Sequence, residues 1–180
     1  EDRRYWEHQG VDPEGLVRAA VANFEEGEVV QGGSTITQQY VKNTYTTGER
    51  DVARKLREAL IATRLERELT KDEILFRYLN TVYFGRGAYG IEAAARYFFS
   101  TSAANLTLPQ AAMLAGLVQA PSAYDPTNNP EKALGRRTQV LDRMVELGMV
   151  SEADGAAARQ SDLSLALRPT PAGCVPSWAP

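Results

Sequence analysis

Four stretches of this 180-residue sequence gather side chains that could do chemistry. The first is the opening decapeptide, Glu1-Asp2-Arg3-Arg4-Tyr5-Trp6-Glu7-His8-Gln9-Gly10, where carboxylates, an imidazole and two arginines sit beside large aromatic rings. A carboxylate held against apolar rings loses solvation and takes up a proton more readily, which suits general acid–base work. A charged, solvated helix start would have the same composition, and His8 alone reads equally well as a structural hydrogen bonder. The second stretch is Gly32-Gly33-Ser34-Thr35-Ile36-Thr37-Gln38-Gln39. Glycines let a backbone approach a ligand closely, and a hydroxyl-bearing helix start is a natural anion site. The stretch is not a Walker loop, since no Gly-Lys-Ser/Thr closes it, and it reads also as a glycine turn before a capped helix.

The third stretch lies on a long helix. Arg50, Arg54 and Glu58 fall at i, i+4 and i+8 and share a face, flanked by Lys55 and Arg57. Cations with one acid could clamp a phosphate while the acid holds a metal ion or a hydroxyl; ion pairing on a solvated helix is the plain alternative. Leu56 sits roughly 200° around from Glu58, so Val52, Leu56 and Leu60 are expected to form the buried stripe. In the fourth stretch, Ile74 to Gly85, the spacing of Ile74, Tyr78, Leu79 and Val82 predicts core, with Asn80 as the polar exception.

The elements that must position these groups are helical. Asp12-Pro13-Glu14 opens a helix running to about Glu25, and Ser34 offers a cap for one reaching about Asn43. A long helix is expected over Arg50 to Leu69. Capping boxes are read at Thr70 with Glu73 and at Thr107 with Gln110, and a weaker one at Ser151 with Asp154. Asn129-Pro130-Glu131 begins a helix ended by Gly148. Eight or nine helices without strand alternation predict an all-α domain over residues 1–160. Residues 161–180 lose the pattern: Leu163, Leu165 and Leu167 alternate like a short strand before a proline-rich tail.

Composition narrows the classes. A net charge of −3 gives no global positive field for nucleic acid, so an anionic ligand must be met by local clusters of Lys and Arg. One cysteine, Cys174, and one histidine exclude an intrachain disulfide and a Cys/His zinc site. The apolar run Ala111 to Ala120 is about half of the ~20 residues a spanning helix needs. The absent initiator Met and the dense motif at Glu1 are read as a piece of a longer chain.

Together and in order, these blocks resemble glycosyltransferase family 51, the peptidoglycan glycosyltransferases of class A penicillin-binding proteins. Glu1, Asp2, His8 and Gly10 match the first family motif, with Tyr5 where Phe is usual. Gly32 to Gln39 matches the second throughout; Arg54-Lys55-Leu56-Arg57-Glu58 is the third and Ile74 to Gly85 the fourth. Ala111 to Pro126 is similar to a fifth.

The resemblance implies a lysozyme-like fold with a smaller, membrane-facing lobe. It also implies polymerisation of lipid II into β-1,4-linked glycan, with inversion at C1 and release of undecaprenyl pyrophosphate. Glu1 would be the general base. Ser34, Gln38, Gln39, Lys42 and Arg50 would meet the donor's phosphates and sugar, Lys55 and Arg57 the acceptor's phosphates, and Thr35 and Arg54 would also bind substrate. Glu58 would be the second essential acid, holding a divalent cation (Mg or Mn) on the pyrophosphate or positioning the cationic side chains. No organic cofactor is implied. Glu1 has to take a proton near neutral pH, whereas Glu58 among arginines has to stay ionised.

The implied partners are lipid II, the nascent glycan strand, the bacterial membrane surface and moenomycin-type inhibitors. The implied location is the extracytoplasmic face of the cell membrane, through an upstream anchoring helix, with a transpeptidase domain following residue 180. A free α-amino group on Glu1 would favour the carboxylate over its acid, so the sequence as written is expected to be less active than one extended upstream. The rival readings are a lysozyme-like hydrolase, which has no pyrophosphate to release and no need of the cations, and a carbohydrate- or lipid-binding module without catalysis.

Overall fold

A computed structural model describes residues 1–26, 32–46 and 52–168. Among them the chain is all-α: eight α-helices, one short 3-10 turn at Ala103–Asn105 and no strand. A single isolated bridge joins Tyr83 and Tyr89. The helices fall into two compact units, Glu1–Val82 and the part from Tyr83 onward.

The first unit contains α1 (Pro13–Glu26), α2 (Ile36–Thr44), α3 (Val52–Glu68) and α4 (Lys71–Thr81). α2 packs against both α3 and α4. Thr35, not Ser34, is the cap of α2: its hydroxyl accepts from Gln38 N while Gln38 Oε1 accepts from Thr35 N. Thr70 and Glu73 close the expected box at α4. Ile74, Tyr78 and Val82 are buried as the spacing predicts, and Leu79 is half-buried.

The orientation of α3 is the reverse of the expected one. Val52, Leu56 and Leu60 are 77%, 62% and 72% exposed, whereas Arg54, Glu58 and Ala62 are buried. Glu66 lies one more turn along the same inward row, its side chain 3% exposed. A paired carboxylate and guanidinium can be buried because each satisfies the other. Hydrophobic spacing shows that a helix has two faces, and here the charged face is the inner one.

The second unit contains α5 (Ile91–Phe99), α6 (Leu108–Leu117), α7 (Pro130–Glu146) and α8 (Glu152–Gln160). α7 packs on α6 and α8, with Ala112, Leu141 and Ala158 at the centre. Gly155 is needed there: a Cβ would lie 2.5 Å from Val145 Cγ2. Arg137, fully buried, donates to the carbonyls of Arg159, Ser161 and Asp162, satisfying groups that the end of α8 leaves unpaired. The expected strand around Leu163, Leu165 and Leu167 is extended chain that pairs with the end of a helix. Ala166 N and Arg168 N donate to Phe98 O and Tyr97 O, at 2.9 and 2.8 Å. The proline-rich tail and Cys174 lie outside the described residues.

Candidate active site

The opening segment is pinned onto α2 and α3. Gly10, at φ +89°, presses against α3: a Cβ would sit 2.7 Å from Ala62 C and Thr63 N, so no larger residue fits without displacing the helix. Its carbonyl accepts from the Thr35 hydroxyl at 2.7 Å. Asp2 Oδ2 accepts from Ile36 N at 2.9 Å, at the start of α2 where a carboxylate is favoured by the helix dipole. The same oxygen is 2.9 Å from His8 Nε2.

Glu1 stays exposed beside this anchor. Gln39 Nε2 donates to Glu1 Oε2 at 3.3 Å and to Ser34 O at 3.4 Å, and Gln39 Oε1 accepts from the Tyr78 hydroxyl at 3.2 Å. Burial pushes the Tyr78 phenol well above its usual range, reinforced by the negative charges of Glu1 and Asp2. Tyr78 therefore stays protonated and donates to Gln39 Oε1, while Glu1, acceptor-only when ionised, takes the Gln39 NH2.

Glu58 is 0% exposed. Its Oε1 pairs with Arg54 and lies 3.4 Å from the Thr46 hydroxyl, and its Oε2 is 2.9 Å from Lys55 Nζ. That second contact is an ion pair without an aligned hydrogen bond. Lys55 Nζ also donates to Ser34 Oγ at 2.9 Å. A continuous succession, Glu1–Gln39–Ser34–Lys55–Glu58, thus joins the two carboxylates through residues of the second and third sequence blocks.

The other expected site residues divide by placement. Thr35 and Gln38 are buried and their side chains close the α2 cap, so they hold the loop that carries Ser34. Lys42 and Arg57 are exposed, on α2 and α3. Arg54 is buried against Glu58. Arg50 lies outside the described residues.

Glu58 does not fit a protein-built metal site. Both oxygens face cations, and among the described residues no cluster of three or more His, Cys, Asp or Glu side chains is able to hold an ion. A hard divalent cation wants about six oxygen ligands and would be repelled by Arg54 and Lys55.

A profile of the Transglycosylase family matches residues 1–145. The chain belongs to the transglycosylase family. It is 50% identical over 151 residues to penicillin-binding protein 1A of Aquifex aeolicus, covering 84% of this chain and 21% of that protein. The corresponding protein of Neisseria flavescens is 48% identical over 151 residues, with 84% of this chain and 19% of that protein covered. A putative transglycosylase of Cupriavidus necator is 49% identical over 158 residues, covering 87% of this chain and 68% of that protein. The chain therefore spans about a fifth of the penicillin-binding proteins it matches. A crystal structure of penicillin-binding protein 1A from Haemophilus influenzae aligns with a TM-score of 0.49 at 26% identity, over 74% of this chain and 17% of that one.

Sequence reading missed a cluster beside the candidate site. Thr37, Glu66 and Lys71 form a buried cluster with His8 behind the Glu1 segment. Two signals point to it: Glu66 continues the Arg54–Glu58–Ala62 row at i+4, and Lys71 sits at a helix start, where a cation opposes the dipole.

Proposed function

We propose that this transglycosylase polymerises lipid II into β-1,4-linked glycan, with Glu1 as general base. Glu1 takes the proton from the acceptor's 4-hydroxyl as that oxygen attacks C1 of the donor sugar. The C1–oxygen bond to the pyrophosphate breaks on the opposite face, so configuration inverts and undecaprenyl pyrophosphate leaves. Lys42 and Arg50 are assigned to the charge that develops on the departing phosphate, and Lys55 and Arg57 to the acceptor's phosphates. Glu58 is assigned to holding Arg54 and Lys55 in place, which agrees with its poor fit to a metal ion. The observation that supports this reading best is the succession of hydrogen bonds and one ion pair from Glu1 to Glu58 through Gln39, Ser34 and Lys55. A hydrolase cutting finished glycan would have no use for that cationic half.

Incubation with lipid II, and separately with purified peptidoglycan, tests the proposal. Polymer from the first and no released fragments from the second are expected; fragments without polymer would favour the hydrolase. Tyr78→Phe removes the hydroxyl that holds Gln39 Oε1 and so loosens the amide that meets Glu1. Weakening of this hydrogen bond to a charged group is expected to lower turnover by about ten-fold.

The outward stripes of the first unit support a membrane-facing surface. Val17, Val21 and Phe24 on α1 are exposed, as are Val52, Leu56 and Leu60 on α3. Among the described residues no helix is long and apolar enough to cross a membrane. Amphipathic helices of this kind lie in the plane of a bilayer. We assign these faces to the extracytoplasmic leaflet holding the lipid substrate, with moenomycin-type phosphoglycolipids competing for the donor position. Replacing Leu56 and Leu60 by Asp is expected to weaken co-sedimentation with phosphatidylglycerol vesicles by about ten-fold or more. Unchanged sedimentation would reject that surface.

A further inference from the structure

The cluster behind the opening segment contains ionisable groups that the proposed chemistry does not use. His8, Asp2 and Glu66 have side chains 2%, 2% and 3% exposed, and Lys71 is 20% exposed. Burying charge is costly and has to be matched by close pairing. Lys71 Nζ is 2.7 Å from Glu66 Oε2 and 3.3 Å from His8 Nδ1, and it lies 4.6 Å from the centre of the Tyr5 ring. Tyr5 returns a hydrogen bond from its hydroxyl to Lys71 O at 2.5 Å. Burial pushes the Tyr5 phenol up, helped by Glu66 and Asp2, so Tyr5 remains a donor.

An ammonium has donors only, so toward Nδ1 it can act in one direction. His8 must then carry its proton on Nε2, where Asp2 Oδ2 is 2.9 Å away and accepts it. The charged groups around the ring are Asp2 from the opening segment, Glu66 from α3 and Lys71 from α4; Thr37 of α2 reaches the ring only through Glu66. Glu66 Oε1 lies 3.8 Å from Nδ1, beyond hydrogen-bond reach. It is already engaged by the Thr37 hydroxyl, while Lys71 holds Oε2. Lys71 also stands at the first position of α4, where its charge opposes the helix dipole, a local cost offset only by what it does in this cluster.

We propose that Lys71 is a positioning residue for Glu1: it fixes His8 as the Nε2–H tautomer, which holds the Asp2 carboxylate and with it the neighbouring Glu1. The effect on turnover rests on the glycosyltransferase reading, but the tautomer does not. His8 is the only histidine of the chain, so one labelled ring reports the state without assignment. Nitrogen-15 NMR of the full chain at neutral pH is expected to show an unprotonated Nδ1 and a protonated Nε2.

In Lys71→Met the ring is expected to pass to a mixture of tautomers, which loosens the Nε2–H hold on Asp2. kcat for lipid II then falls by about ten-fold or more through misplacement of the base, while KM and donor-analogue binding stay as they were. Lys71→Arg, again a pure donor, is expected to restore both signals and kcat. The proposal is overturned by a protonated Nδ1 in the parent protein. It is equally overturned if Lys71→Met leaves the ring signals unmoved, whether kcat holds or falls together with the melting temperature. Should Lys71→Met not fold, the parent spectrum and Lys71→Arg still decide. A parent chain that makes no polymer but shows the expected tautomer would count against the glycosyltransferase reading alone.

Discussion

Glu1→Gln is expected to remove glycan polymerisation while leaving donor-analogue affinity within about two-fold, since the change touches a proton transfer and not the cations. Positioned bases contribute about 10²–10⁴ in rate. The amide keeps the shape and can still meet Gln39, whose NH2 lies 3.3 Å from the carboxylate oxygen it replaces. It cannot accept a proton from a sugar hydroxyl at neutral pH. Lipid II consumption followed by separation of products reads the first effect, and displacement of a fluorescent phosphoglycolipid reads the second. Turnover within ten-fold of the parent would assign the base elsewhere. Loss of ligand binding with it would make Glu1 a contact residue.

Local signals carried the sequence reading furthest. Helix starts at Pro13, Lys71, Leu108 and Pro130 were legible because a cap needs only neighbours three residues away: Thr70 with Glu73, Thr107 with Gln110. The one-residue error at α2 is of the same local kind, since Ser34 and Thr35 both offer a hydroxyl and only Thr35 has Gln38 at the third position to close the box. The failure at α3 is of another kind. Periodicity separates the Val52–Leu56–Leu60 row from the Arg54–Glu58 row but does not say which one faces inward. The apolar row is the outer one.

The two acids of the candidate site were named from the motifs, and the contacts that link them in the structure were not. Ser34, Lys55 and Gln39 meet because α2 packs on α3 with the Gly10 backbone in contact with Ala62 and Thr63, a long-range fact with no local signature. The Glu66–Lys71–His8 cluster escaped for the same reason, since its members are up to 63 residues apart. Arg137 shows the complement in the second unit. Beside Arg136 on a long helix it has no local signature, and only the end of α8 tells why it is buried.

The second large effect concerns the inward row of α3, where stability and catalysis can be separated. Arg54→Leu leaves the Glu58 carboxylate, 0% exposed, with Lys55 as its remaining ion-pair partner. Removing one member of a buried pair costs about 3–5 kcal/mol. Against a domain stability of about 5–15 kcal/mol, that is a large fraction and is expected to show as a lower melting temperature and an earlier urea midpoint. Replacing both members, Arg54→Leu with Glu58→Leu, removes the uncompensated charge together with its partner and is expected to recover most of the loss, because apolar groups of similar volume often replace buried pairs at little cost. Polymerisation is not expected to return in the double variant, since Lys55 then loses the carboxylate that holds it 2.9 Å from Ser34 Oγ. A double variant that regains both stability and polymer would mean that Glu58 serves the fold alone. One that stays as unstable as Arg54→Leu would mean that the α3 row depends on charge for its packing, a role the geometry gives to the pair and not to either residue.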